Sequence, residues 1–456
     1  MARSERLHPI RLATGVLGLG LAIYALLDHP LYGGGPGFGA TQGIVLAAGV
    51  VLIAGAALAS LRRCVGLFVL SVVGLLMLGL VELVAETVLG PFIRAPYRYE
   101  PTRLFELRPG AEGAVRMGPE NGGHVVFHRI NEDGFRGPEL LEGDERPRVM
   151  VYGDSFIHAI YAREEETFVR QLEAKLSEAI GPVEVVNAGV SSYGPDQILL
   201  RLEDDLERYR PDAVLVAIFA GNDYGDLLRN KLFRLDEEGE LVEASPRLAD
   251  HLKLSFRLSE QNSALVTGLR SLLRRLRGSD GPASTDPYQL VEAWRESALQ
   301  EYQSFVVEED PVVTNIYADY YSADLATDPE LPSSRYKARL MKAVLREIAR
   351  TAEARSVPLG FVAIPHPMDV VDGYEATRVD RSRHPAYDGR NLIEPLVEAG
   401  QEAGVPVIDL HAVFSSAEDP RGLYLKGLDD HWNPAGQALG AQAAASLMLE
   451  QGWLEE

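Results

Sequence analysis

The hydropathy pattern divides the chain in two. Before about residue 90 the apolar residues run without alternation. Leu12–Leu27 (16 residues), Ala40–Leu61 (22 residues) and Cys64–Val81 (18 residues) carry no charged side chain. A membrane-spanning helix needs ~20 such residues, because lipid offers its backbone no hydrogen-bonding partner. Residues 1–90 are therefore expected to form a membrane anchor of three transmembrane helices. The rival for the first stretch is a cleaved signal peptide, but no small-x-small cleavage pattern stands before Asp28. Arg3, Arg6 and Arg11 precede the first stretch, and Arg62 and Arg63 separate the second from the third. The positive-inside rule places those arginines in the cytoplasm and everything after about Gly90 on the outer side. The expected setting is a bacterial inner or cytoplasmic membrane.

Beyond the head the pattern changes. Residues 91–145 read as a β-rich lead-in, with Gly122-Gly123 turning into the strand-like His124–His128. Residues 146–456 then alternate short apolar runs with helical periodicity. Strands are predicted at Arg148–Tyr152, Val183–Val186, Asp212–Phe219, Leu359–Ile364 and Val405–Leu410. Helices are predicted at Glu166–Ile180, Asp196–Tyr209, Ser334–Arg355, Asn391–Ala403 and Pro434–Glu450. Such alternation means an α/β domain whose parallel sheet is covered on both faces. A helical insertion at about 224–313 interrupts it, with a basic helical stretch at Lys253–Leu276, a linker at Gly278–Ser284 and a second helix at Pro287–Val307. It is the natural place for a lid or for contact with an envelope partner protein.

Composition narrows the class. A net charge of −22 argues against nucleic acid as a partner. The charge is uneven: residues 1–96 carry +2, which leaves −24 for the acidic body. The single cysteine, Cys64, excludes a disulfide framework within the monomer and any cysteine-based zinc cluster. No motif asks for a metal or an organic cofactor.

Four segments carry candidate chemistry. Gly153-Asp154-Ser155 follows the first strand of the alternating region, where ligands bind in open α/β sheets. Asn187–Gly194 follows the second strand, and Gly221-Asn222-Asp223 follows the third. An asparagine amide at such a strand end can donate to an oxyanion. Asp429-Asp430-His431-Trp432-Asn433-Pro434 precedes the last helix, with Asn433 as N-cap, and either acid can orient the imidazole. His158, His366, Tyr193 and Tyr224 stand near these loops; cleft contacts and plain packing both remain open for them.

Taken together, the four segments resemble the SGNH (GDSL-type) hydrolase family over about Asn131–Leu449, and Asn131–Gly137 is similar to the lead-in of many members. The resemblance implies a flavodoxin-like three-layer α/β/α fold and ester chemistry. It implies Ser155 as nucleophile, His431 as general base, and an oxyanion hole built from the Ser155 amide and Asn222. Two positions depart from the family pattern. Ser192 stands where a glycine is usual for the third oxyanion donor, with Gly189 as the alternative. Leu428 stands where the triad aspartate is usual, so the acid is expected at Asp429, with Asp430 in reserve. Asp429-x-His431-Trp432 is similar to the motif of proteins that O-acetylate exported polysaccharides. The expected function is a membrane-anchored serine esterase acting on an acyl or acetyl ester of a glycan or lipid in the cell envelope. An O-acyltransferase is the alternative, and the intact Ser155/His431 pair argues against a non-catalytic scaffold.

Overall fold

Runs of β-branched and other apolar residues with no polar alternation fit strands buried on both faces, and they build the sheet of this protein. The computed structural model describes residues 8–26, 40–93, 96–141, 146–244, 288–309, 321–375, 377–427 and 429–454. The chain divides into two units: Met1–Ala95 with Lys253–Gly281, and Pro96–Leu252 with Pro282–Glu456. The basic stretch Lys253–Leu276 and the linker Gly278–Ser284 lie outside the described residues, as does Leu428.

The first unit contains α1 (Pro9–Leu26), α2 (Ala40–Leu58) and α3 (Leu61–Ile93). Its burial is inverted relative to a water-soluble domain. Thr14 and Cys64 are fully buried, while Leu70, Leu76 and Leu83 are 71%, 68% and 64% exposed. Helices α1 and α2 cross at glycines: a Cβ on Gly18 would sit 2.7 Å from the Gly49 carbonyl oxygen. Small residues of this kind let apolar helices approach backbone to backbone. Two helices, Pro9–Leu26 and Leu61–Ala85, are long and apolar enough to cross a membrane. The apolar part of α2, Gly43–Leu58, is shorter. At 1.5 Å per residue it covers about 24 Å, less than the ~30 Å hydrocarbon core. This differs from the three full spans expected, because α2 stops at Leu58 and Leu61 already belongs to α3.

The second unit opens with two antiparallel hairpins, β1 (Tyr97–Glu100) with β2 (Leu104–Leu107) and β3 (Glu112–Arg116) with β4 (Val125–Arg129). Gly122 and Gly123 turn the second hairpin with φ of +91° and +63°, which glycine adopts without steric cost. The central strands are β5 (Arg148–Tyr152), β6 (Glu184–Asn187) and β7 (Ala213–Phe219). A small hairpin of β8 (Phe233–Leu235) and β9 (Leu241–Glu243) precedes β10 (Leu359–Ile364) and β11 (Val407–Asp409). The five-stranded sheet runs β11-β10-β7-β5-β6, parallel throughout. Counted along the chain this is the 2-1-3-4-5 flavodoxin-like order.

The connecting helices, in chain order, are α4 (Ser155–His158), α5 (Phe168–Ile180), α6 (Pro195–Tyr209), α7 (Asp223–Asn230), α8 (Gln289–Tyr302), α9 (Ala323–Thr327), α10 (Pro332–Glu353), α11 (Pro367–Val370), α12 (Glu394–Ala403), α13 (Leu410–Ser415) and α14 (Pro434–Glu450). Right-handed crossovers place α5 on one face of the sheet and α6, α10 and α12 on the other. Helix α14 returns to pack on α5. The direction in which successive strands are added reverses at β5, whose neighbours are β6 and β7. The carboxyl ends of these three strands therefore meet at the point where open α/β sheets bind ligands.

Candidate active site

Ser155 is the first residue of α4, directly beyond β5. The preceding Asp154 caps that helix: its carboxylate accepts the Phe156 N–H at 2.9 Å. The short helix is tied down by Arg136, whose buried guanidinium donates to the carbonyls of His158, Ala159 and Ala162. Arg136 belongs to the Asn131–Gly137 lead-in, which thus supports the serine turn from behind.

His431 reaches Ser155 from the loop before α14. Its Nε2 lies 2.8 Å from Ser155 Oγ, and its Nδ1 lies 2.8 Å from Asp429 Oδ1. The same Asp429 oxygen accepts the His431 backbone N–H at 3.0 Å, so one carboxylate fixes both ring and main chain. Asp430 Oδ1 is farther from Nδ1, at 3.3 Å. The imidazole stacks on Phe156 with centroids 4.7 Å apart. Tyr374, which the sequence did not single out, donates from its hydroxyl to the carbonyls of Asp429 and Leu425.

Trp432 is 1% exposed, and its indole N–H donates to the Phe156 carbonyl at 3.1 Å. It therefore joins the histidine loop to the serine helix. Asn433 caps α14 by accepting from the Ala435 and Gly436 amides.

These contacts set the charge of the histidine. Burial alone disfavours the imidazolium. The hydrogen bond to Asp429, with the negative charges of Asp430, Asp429 and Asp154, outweighs burial and pushes His431 up to about 9. Burial also opposes ionisation of Asp429, but the hydrogen bond and charge of His431 hold its carboxyl below the ordinary value.

The flanking strands supply the other two loops. Asn222 is 4% exposed and holds the N-cap position of α7, just beyond β7. Ser192 lies in the loop after β6 with φ of +66°, the left-handed region that favours glycine. This explains why glycine is the more comfortable residue there and shows that serine adopts the same backbone. Arg229 donates to the Ser192 carbonyl at 3.0 Å and pairs with Asp226 at 2.9 Å. Among the described residues the Ser155 and Ser192 amides have no protein acceptor, whereas the Gly189 N–H is taken by Asn187 Oδ1 at 3.0 Å. Gly189 has another reason to be glycine: a Cβ there would lie 2.4 Å from the His158 backbone nitrogen.

Other histidines and tyrosines separate into packing and pocket groups. His158 is fully buried, with Nδ1 2.8 Å from Ser191 Oγ, and burial lowers its pKa well below the ordinary histidine value. The Tyr193 and Tyr224 hydroxyls donate to the carbonyls of Phe105 and Leu392, and both side chains are core. His366 instead lines a pocket of about 190 Å³ with Asn222, Trp294, Tyr321 and Asp430. Trp294 comes from α8, so part of the insertion helps build the site region.

The GDSL-like Lipase/Acylhydrolase family matches residues 151–439. No curated protein matches the chain. Among solved structures, the psychrotrophic esterase from Pseudoalteromonas sp. is 13% identical, covering 67% of this chain and 97% of its own, with a TM-score of 0.30. The lipase/acylhydrolase from Enterococcus faecalis is 12% identical, covering 67% and 96%, with a TM-score of 0.28. An acetylxylan esterase from Geobacillus stearothermophilus is 12% identical, covering 70% and 100%, with a TM-score of 0.32. The family match begins within β5 and closes within α14, enclosing the carboxyl ends of all five strands of the parallel sheet. The chain belongs to the GDSL-like lipase/acylhydrolase family and is a serine hydrolase of ester bonds.

Proposed function

We propose that this protein is a membrane-anchored serine esterase that uses Ser155 as nucleophile, His431 as general base and Asp429 as the orienting acid. The observation that carries the reading is the unbroken relay of two 2.8 Å contacts, Asp429 Oδ1 to His431 Nδ1 and His431 Nε2 to Ser155 Oγ. In its neutral form the ring donates from Nδ1 to Asp429 and accepts the serine proton at Nε2. Ser155 Oγ then attacks the ester carbonyl, and the oxyanion is met by the Ser155 amide, the Ser192 amide and Asn222. His431 returns its proton to the departing alcohol, and an acyl-Ser155 remains. Water, deprotonated by His431, releases the acid.

Helices α1 and α3 anchor the chain, with α2 packed beside α1, and the arginine distribution favours a body outside the cytoplasm. The substrate is an acyl or acetyl ester of an envelope glycan or lipid. An O-acyltransferase would share the acyl-Ser155 step. Its sequence hint is the Asp429-x-His431-Trp432 pattern, in which the buried indole packs against Phe156 and Phe168. The few spans of the anchor, too few for this chain to carry an acyl donor across the membrane, favour the hydrolase.

The test is hydrolysis of short p-nitrophenyl esters by the full chain in detergent. Wild type is expected to turn them over, and Ser155→Ala is expected to lose at least ~10³-fold in kcat. Activity retained by Ser155→Ala would overturn the assignment.

A further inference from the structure

His366 is positioned unlike a packing histidine. It stands just after β10 as the N-cap of α11, and its Nδ1 accepts the Met368 N–H at 3.2 Å. That hydrogen bond fixes the tautomer: the ring proton sits on Nε2. Nε2 faces the pocket, 3.7 Å from Asp430 Oδ2, and makes no shorter hydrogen bond among the described residues. Asp430 turns its other oxygen to His431 at 3.3 Å, so the pocket adjoins the Ser155–His431 pair.

One donor and one acceptor thus lie 3.7 Å apart on a pocket wall. A single hydroxyl oxygen can stand roughly 2.8 Å from both, accepting from the Nε2 proton and donating to the carboxylate. An ether or an alkyl chain makes at most one of these bonds, and an anion is repelled by Asp430. The flanks are ring surfaces: Tyr321 lies 4.6 Å from the His366 ring and Trp294 lies 6.2 Å from it. Such surfaces suit the C–H faces of a polyol or a sugar ring. Glu375 also lines the pocket, with its charge met by Arg421 at 3.8 Å, so the charge that turns anionic substrates away is that of Asp430.

We propose that His366 and Asp430 form a hydroxyl clamp that selects esters whose alcohol part is an uncharged polyol or sugar. The inference rests on the esterase reading of Ser155 and adds the substrate class. Burial, which pushes His366 down to about 3, keeps the ring neutral and therefore a donor from Nε2 alone across the working pH range.

The experiment compares kcat/KM for ethyl acetate, glycerol monoacetate and a mono-O-acetylated methyl glucoside, using the full chain in detergent. All three deliver the same acyl group. Wild type is expected to prefer at least one hydroxylated ester by roughly tenfold, the scale of two hydrogen bonds. A preference for the glucoside alone identifies a sugar, and one for the glycerol ester alone identifies an open polyol. His366→Phe is expected to abolish the preference through KM, with ethyl acetate hydrolysis within about twofold of wild type, since the ring contacts no reacting atom. His366→Gln keeps an N–H donor and is expected to retain part of the preference, which preserves the test should the phenylalanine variant not fold. Equal kcat/KM for all three esters in wild type would overturn the clamp. So would a His366→Phe variant that slows ethyl acetate and the hydroxylated esters alike. Ser155→Ala is run in parallel: hydrolysis that survives it would overturn the esterase reading itself, an outcome distinct from lost preference.

Discussion

Two histidines face opposite oxygens of one carboxylate, Asp430, and the protein treats them in opposite ways. His431, on the serine wall of the site, is pushed up to about 9; His366, on the pocket wall, is pushed down to about 3. Both are largely buried, with side chains 13% and 6% exposed. The difference lies at Nδ1. In His431 that nitrogen meets the Asp429 carboxylate at 2.8 Å, which rewards protonation. In His366 it accepts a backbone N–H, and a proton there would break the bond. One wall is built to take up a proton and the other to keep a neutral donor. Burial disfavours the charged form of both rings and alone sets His366 low; in His431 the hydrogen bond to Asp429 and the charges of Asp430, Asp429 and Asp154 outweigh it.

The sharpest way to break this contrast is to disable the Nδ1 partner of His431. Asp429→Asn is expected to lower kcat by on the order of 10²- to 10⁴-fold, and Asp430→Asn by less than about tenfold. Steady-state kinetics of the two variants check the ranking, and a larger loss at Asp430 would reverse the assignment.

The next test moves the titration. A base must be neutral to act, so a raised pKa delays activity: kcat/KM is expected to climb from pH 7 and level off above about 9. Removing the charge of Asp430 by Asp430→Asn weakens the pull on the imidazolium, and the limb is expected to shift to lower pH. A limb near 6.5 in wild type, or one unmoved in the variant, would contradict the electrostatic account.

Trp432 ties the histidine wall to the serine helix through one hydrogen bond. Trp432→Phe leaves the Phe156 carbonyl short of that buried donor, and denaturant titration is expected to show a loss of ~1–3 kcal/mol. The smallest effect is expected at Ser192. Ser192→Gly keeps the amide donor and relieves a left-handed φ, while the gain in unfolded-chain entropy opposes that relief. Stability is expected to change by less than ~1 kcal/mol and kcat by less than about threefold, because the N–H proposed to meet the oxyanion is retained.

The sheet was legible because its central strands β7 and β10 are unbroken apolar runs; the predicted strand and helix at Leu359–Ile364 and Pro434–Glu450 match β10 and α14 residue for residue. The sequence placed Ser155 and Asn222 just beyond two strands and Asp429 and His431 in the loop before the last helix, where turn and cap residues punctuate the chain strongly, and the structure puts them there. The left-handed Ser192 was foreseeable only as a question, since serine does not announce a positive φ. The pocket wall was less visible. Trp294 lies about 140 positions from Ser155, and nothing in the periodicity of α8 says which strand end it approaches. Arg136 was hidden inside a turn motif, because its work is to satisfy three carbonyls at and just beyond the end of a short helix that the sequence marks only as a turn. In the head, composition found the apolar helices but overran the end of α2 by three residues, since Ala59-Ser60 carries no strong stop signal.

The most direct test of the central claim is covalent. The full chain in detergent is treated with a fluorophosphonate, and the adduct is located by intact mass and peptide mapping. One adduct is expected, on Ser155, formed much more slowly in Asp429→Asn and absent from Ser155→Ala. An adduct on another residue, or one that persists in Ser155→Ala, would contradict the claim.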